Sequence, residues 1–230
     1  LIDGAKPTNL FIRELMKLLK LKTEPKYNEQ KFIDQNWVEY TRQFFGQIEI
    51  TKTLKILPPW IEIDSYRGRS IIINPGSGFG TGTHPTTRLC LEWIEKNLVI
   101  NESLLDFGSG SGILSIAGKK FGSGTTVGIE IDPKAIKNAE ENCKLNNVEI
   151  SFHRTISESS EKLFDTVISN TLFNTLIHIK EDLKLCTGKR LILAGVLKNQ
   201  SQKIIDAYSD WIELKIYEEK GEWVLLEGIL

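Results

Sequence analysis

The chain has 230 residues, 40% of them hydrophobic and 26% charged, a balance that suits one folded core with at most a small appended domain and excludes disorder over most of its length. Lys+Arg 29 against Asp+Glu 30 leaves a formal net charge of -1, so the overall charge supplies no reason to expect direct nucleic-acid binding. Cys90, Cys143 and Cys186 are an odd number at wide spacings, which argues against a disulfide framework or a zinc site and for a reducing, cytoplasmic compartment.

Residues 8–22, "TNLFIRELMKLLKLK", carry Phe11, Ile12, Leu15, Leu18 and Leu19 at helical spacing with basic residues between them, so one amphipathic helix is expected. The polar, proline-containing "KTEPKYNEQ" reads as a linker. A helix to about Phe45 is expected next, then a break at Gly46, strands in "QIEI" and "TLKIL", and further strand character over 62–74, including "SIIIN". No stretch is long and apolar enough to span a bilayer, and the N-terminus lacks the uncharged core of a secretory signal.

From Pro85 the elements alternate. Helix 85–97 precedes strand "SLLDF", helix 111–121, strand "TTVGIEI", helix 133–146, strands "VEISFH" and "FDTVISN", helix 172–185, strand "RLILAGV" and a helix from about Lys198. Strands separated by helices of this length predict an α/β fold, a doubly wound and mostly parallel sheet with helices on both faces. The tail departs from that rule. "WIELKIYEEKGEWVLLEGIL" holds two alternating strands joined at Lys220-Gly221, an antiparallel hairpin.

Two glycine clusters stand out, "NPGSGFGTGTHPTT" at 74–87 and "LLDFGSGSGILSIA" at 104–117. In the second, a strand ends at Asp106-Phe107, and Gly108, Gly110 and Gly112 lead into a helix. Such glycines permit a tight turn and close ligand approach, while the helix N-terminus offers unpaired N–H groups. The spacing is G-x-G-x-G, and Ile113 stands where a dinucleotide fingerprint needs its last glycine. Glu130, at the tip of the following strand, is placed to accept hydrogen bonds from the two ribose hydroxyls of an adenosine group. Asp132 is the competing candidate, although Asp132-Pro133 reads better as a helix cap and first residue. Ligands in open parallel sheets sit beyond the carboxyl ends of the strands, so Gly108, Glu130 and Asn170 are expected to converge. Asn170 either caps the next helix or holds a substrate amine through its amide oxygen, and its place at a strand end favours the second role.

Taken together, these two stretches with "GIEIDPKAIKNAEENCKLN", "FDTVISNTL", "LILAGVL" and "EEKGEWVLLEG" resemble the PrmA family over about residues 35–230. The family consists of S-adenosylmethionine-dependent methyltransferases that modify lysine side chains and the N-terminal amine of the eleventh large-subunit ribosomal protein. The resemblance implies a seven-stranded methyltransferase sheet over 75–230, a linker helix and strands over 35–74, and a reduced or truncated recognition segment over 1–34. It implies a cofactor site built from Phe79, Gly80, Thr81 and Gly82 of the first cluster with Asp106, Gly108, Ser109, Gly110, Gly112 and Glu130. Asn170 is implied as the residue beside both cofactor and methyl-accepting amine, where relatives read Asn-Ile-Leu and this chain reads Asn170-Thr171-Leu172. His84 beside Pro85 reads as structural. No metal is required by this chemistry.

The short front segment leaves the ribosomal substrate open, so another protein or a small amine is an alternative acceptor. Two alternatives of other classes stand beside it. An NAD-binding oxidoreductase shares the sheet type but is opposed by Ile113 and the terminal hairpin, and a non-catalytic module would have kept the fold without turnover.

Overall fold

The computed structural model describes residues 8–21, 23, 25–26, 46–61, 66–74 and 82–230. The chain forms two compact units, Leu1–Phe44 and Phe45–Leu230. In the first, helix α1 spans Thr8–Leu18, inside the range its apolar spacing predicts. The helix expected to end near Phe45 lies outside the described residues.

The second unit opens with a small sheet of β1 (Ile48–Glu49), β2 (Leu54–Leu57) and β3 (Arg69–Ile72). β1 pairs antiparallel and β3 parallel with β2, which leaves the outer edge of β3 without a strand neighbour among the described residues. The main sheet holds β4 (Leu104–Phe107), β5 (Thr126–Ile129), β6 (Ser151–His153), β7 (Phe164–Asn170), β8 (Thr187–Leu197), β9 (Leu214–Lys220) and β10 (Trp223–Ile229). Their spatial order is β6-β5-β4-β7-β8-β10-β9. β4 to β8 run parallel, whereas β10 is antiparallel to both β8 and β9. The expected parallel sheet with an antiparallel terminal hairpin is therefore present. β6 is shorter than "VEISFH", since its pairing with β5 begins at Ser151.

Successive strand residues feed opposite faces of the sheet, as a two-residue repeat requires. Leu104, Ile168 and Ile192 enter the core shared with the small sheet and with helices α2 (Pro85–Asn97), α3 (Ile113–Lys120) and α4 (Pro133–Asn146). Leu105, Val167, Leu191 and Leu193 enter the other core, against α5 (Phe173–His178), α6 (Lys180–Cys186) and α7 (Lys198–Tyr208). All seven of these strand side chains are fully buried, each contributing about 1.5–3 kcal/mol relative to exposure.

Residues 172–185, expected as one helix, form two. Ile179, with ψ 8, ends α5 and precedes α6, yet the hydrogen bonds from Ile179 N to Thr175 O and from Leu183 N to Ile179 O continue through the joint. The departure is thus a local kink at Ile179. Among the described residues no helix is long and apolar enough to cross a membrane.

Candidate active site

The chain order reverses direction across the sheet between β4 and β7: β5 and β6 lie on one side of β4, β7 and β8 on the other. Such a switch point opens a crevice beyond the carboxyl ends of the strands. Asp106, Gly108, Ser109, Gly110 and Gly112 lie there at the end of β4. Gly108, Gly110 and Gly112 have φ of 83, 52 and 77, so this turn is built on backbone conformations that glycine alone adopts freely. The N–H groups of Gly108 and Ser109 both donate to the Ile129 carbonyl, at 2.8 and 2.9 Å, which ties the turn to the end of β5. Gly112 precedes α3 and has no side chain to cap it; the third N–H of that helix, on Ser115, is held instead by Asp106.

Asp106 is 1% exposed. Its Oδ2 accepts from the Ser115 amide at 3.0 Å and the Ser115 hydroxyl at 2.6 Å, whereas Oδ1, like Ser109 Oγ, is buried without a partner among the described residues. Burial raises the Asp106 carboxyl to about 6, with Glu130 adding to the rise and the two Ser115 hydrogen bonds opposing it.

Glu130 follows β5 and folds back onto the turn. Its Oε2 accepts from the Gly110 amide at 2.9 Å and its Oε1 from the Asp132 amide at 3.0 Å. Each carboxylate oxygen keeps a further acceptor site, enough for two hydroxyls. Asp132 is committed elsewhere: its side chain caps α4 by accepting from Lys134 N at 2.9 Å.

Asn170 ends β7, beside β4. Its Nδ2 donates to Thr87 Oγ1 at 3.4 Å, which leaves the amide oxygen directed away from this donor pair and able to accept. Ser169 Oγ donates to the Phe107 carbonyl at 2.9 Å, joining the ends of β7 and β4. Asp106, the glycine turn, Glu130 and Asn170 are therefore brought to one end of adjacent strands.

Of the first glycine cluster, Phe79, Gly80 and Thr81 lie outside the described residues. Gly82 is wedged between the two sheets' elements: a Cβ on it would stand 3.0 Å from Ile56 of β2 and 3.5 Å from Ile113 of α3. His84 acts structurally, capping α2 by accepting from Thr86 N, and its ring meets that of Trp223 edge-on at 4.8 Å between centroids.

Two residues that sequence reasoning missed bind these parts together. Asn142 of α4, fully buried, donates to the Ser111 carbonyl of the glycine turn at 2.9 Å and accepts from the Asn74 amide just beyond β3 at 2.8 Å. One turn later Asn146 accepts from Ile72 N at 2.9 Å and donates to Ile72 O at 2.6 Å. Its side-chain amide pairs with the outer edge of β3 as a neighbouring strand would. The available signal was spacing: Asn138, Asn142 and Asn146 recur every four residues on the face that also carries Ala135, Ala139 and Cys143.

A family model described as Ribosomal protein L11 methyltransferase (PrmA) matches residues 2–229. The chain belongs to the PrmA family. A curated relative, the ribosomal protein L11 methyltransferase of Cupriavidus metallidurans, is 38% identical over 231 residues, covering 99% of this chain and 75% of the relative. The crystal structure of a ribosomal protein L11 methylase from Lactobacillus delbrueckii subsp. bulgaricus superposes with a TM-score of 0.74 at 28% identity, over 80% of this chain and 98% of that one. A T. thermophilus 16S rRNA methyltransferase in complex with AdoMet shares the fold at 17% identity and a TM-score of 0.58, over 66% of this chain and 45% of that one.

The protein is accordingly a methyltransferase, and its sheet with the terminal hairpin is that of S-adenosylmethionine-dependent enzymes. The residues present suit this cofactor. Among the described residues Asp106 Oδ1 is a buried carboxylate oxygen with no partner, which suits a cationic donor, and each Glu130 carboxylate oxygen keeps an acceptor site for a ribose hydroxyl.

Proposed function

We propose that this chain transfers methyl groups from S-adenosylmethionine to amine nitrogens of ribosomal protein L11, on lysine side chains or the N-terminal amine. The observation that carries the reading is the placement of Asn170 at the crevice, with its amide nitrogen turned to Thr87 and its amide oxygen left to accept. Family membership names the substrate. In this reading residues 75–230 are the methyltransferase domain, 35–74 lead into it, and 1–34 serve recognition.

When bound, S-adenosylmethionine supplies a methyl group activated by its sulfonium. Asp106, Gly108 to Gly112 and Glu130 would hold it, together with Phe79, Gly80, Thr81 and Gly82. Asn170 Oδ1 accepts an N–H of the incoming amine and so turns the nitrogen lone pair toward the crevice, which is chiefly a gain from orientation. The enzyme needs no nucleophile of its own. Cys90, Cys143 and Cys186 are buried free thiols, and burial drives their ionisation upward, away from reactivity. The acceptor must be a neutral amine, so turnover rises toward alkaline pH as ammonium gives up its proton to solvent or a neighbouring oxygen.

The test is methyl transfer from labelled S-adenosylmethionine to purified ribosomal protein L11, read by intact-protein mass. Gains in steps of one methyl, reduced by on the order of 100-fold in Asn170→Ala, support the reading. No gain in the presence of bound cofactor would assign the core to another amine.

A further inference from the structure

β8 contains an extra residue where it passes the end of β7. Its pairing with β10 steps from Val196↔Val224 to Leu193↔Leu226, so Ala194 and Gly195 together face the single residue Leu225, a β-bulge. On the other side of the strand, Ala194 is the register partner of Asn170. The bulge therefore lies directly beside the residue that receives the amine.

Gly195 has φ 85. A Cβ there would stand 2.1 Å from the carbonyl oxygen of Thr171, 2.7 Å from its carbonyl carbon and 3.2 Å from its nitrogen. The backbone leaving Asn170 thus rests on Gly195 with no room for a side chain. From the opposite side, the γ-methyl of Thr171 lies 2.5 Å from where a Cβ on Gly108 would be. Thr171 is seated between two glycines, Gly195 on β8 and Gly108 just past the end of β4. Ser169, on the other side of Asn170, is tied by its Oγ to the Phe107 carbonyl at 2.9 Å and lies 3.4 Å from Thr171 Oγ1. Both neighbours of Asn170 are held in place, and its carboxamide nitrogen donates to Thr87 Oγ1.

We propose that Gly195 is a positioning residue for methyl transfer: the bulge of β8 seats Thr171 and thereby aims Asn170 at the amine, an inference that rests on the reading in the preceding section. Gly195 touches neither cofactor nor substrate in this scheme. Its effect falls on the turnover step, because a displacement of about 1 Å at an aligned reacting group lowers rate by about 100-fold, whereas Asp106 and Glu130 stand on other strands.

The experiment compares Gly195→Ala and Gly195→Asn with wild type in methyl transfer to ribosomal protein L11 and in binding of S-adenosylhomocysteine. Asparagine tolerates positive φ better than alanine but carries the same obstructing Cβ, so it separates crowding from backbone strain. Gly221→Ala is the strain control, since Gly221 has φ 62 with nothing within 4 Å of its Cβ position. Expected is a fall in kcat of about 100-fold in both Gly195 variants, with KM for S-adenosylmethionine and affinity for S-adenosylhomocysteine within about threefold, and unchanged kcat in Gly221→Ala. Unchanged kcat in a folded Gly195 variant overturns the proposal, as does a parallel loss of kcat and cofactor affinity. Should both Gly195 variants fail to fold, Thr171→Gly takes their place: an expected tenfold fall in kcat at intact cofactor affinity supports the seat, and full activity overturns it. Wild-type protein that binds cofactor yet leaves ribosomal protein L11 unmodified overturns the substrate named in the preceding section, and with it this inference, which rests on that reading.

Discussion

The two ends of the parallel sheet are built from similar residues to opposite purposes. At the amino end, where β4 and β7 begin, Asp165 accepts from both the amide and the hydroxyl of Ser103 at 2.8 and 2.9 Å, and Ser103 Oγ accepts in return from the Asp165 amide at 2.9 Å. Lys189 bridges Asp165 and Glu102, and Arg190 pairs with Glu102. The Lys189 hydrogen bond, helped by Ser103, pulls the Asp165 carboxyl down to about 2. At the carboxyl end of β4, Asp106 likewise accepts an amide and a hydroxyl from one serine, but among the described residues no cation offsets its burial, which drives its carboxyl up to about 6. Charge compensation within the chain makes one end a clamp. At the other end the carboxylate is left to the cofactor in the proposed function.

The largest effect that would sharpen this contrast is expected at Asn142, which joins the carboxyl end to the small sheet. Asn142→Ala removes the donor to Ser111 O and the acceptor for Asn74 N in a buried setting, at about 1–3 kcal/mol each. A loss of about 2–4 kcal/mol, or about 5–12 °C in Tm, is expected by calorimetry; a change under 1 °C would mean water replaces the bridge.

Next comes Asp106→Asn, which keeps the shape and deletes the charge. Binding of S-adenosylmethionine should weaken by roughly 30-fold, the loss of one charged hydrogen bond, while the ligand-free protein becomes more stable at neutral pH. The sign follows from the raised carboxyl: between about pH 4 and about 6 the unfolded chain has released a proton that the folded chain retains, so stability falls as pH rises through this window. The total is on the order of 2–3 kcal/mol, and the variant should flatten that part of the pH–stability curve. A variant as weakly stable at pH 8 as wild type would remove the idea that Asp106 is held at a stability cost for its ligand.

A smaller effect is expected from pH on cofactor binding. If the ligand requires ionised Asp106, affinity at pH 5 should be about tenfold below that at pH 7, read by titration calorimetry; a flat profile would place the cationic contact elsewhere.

The smallest effect belongs to the clamp. Asp165→Asn should lower stability at pH 7 by about 1 kcal/mol or less, since the pair with Lys189 is partly solvent-screened, and should leave methyl transfer unchanged. Because the folded Asp165 carboxyl is depressed, its contribution is present above about pH 4 and is lost as pH falls through about 2. A large activity loss in this variant would break the division of labour between the two ends.

Much of this was legible in the chain before any coordinates. Alternating apolar runs and helical spacings determined the elements; the boundaries of Pro85–Asn97, Pro133–Asn146 and Phe164–Asn170 coincide with their expected ranges, because proline caps and strand-end polar residues are local signals. Local chemistry also separated Glu130 from Asp132, since an Asp-Pro pair announces a helix start. Only the tertiary structure decided what depends on non-local neighbours: that β4 lies between β5 and β7, that Asp106 has one oxygen without a partner among the described residues, that Asn146 of α4 bonds the edge of β3, and that Gly195 of β8 lies against the residue after Asn170. A side chain's partner across 68 residues, as between Asn142 and Asn74, leaves no periodic trace in sequence, because it is created by the packing of elements whose own patterns are already satisfied.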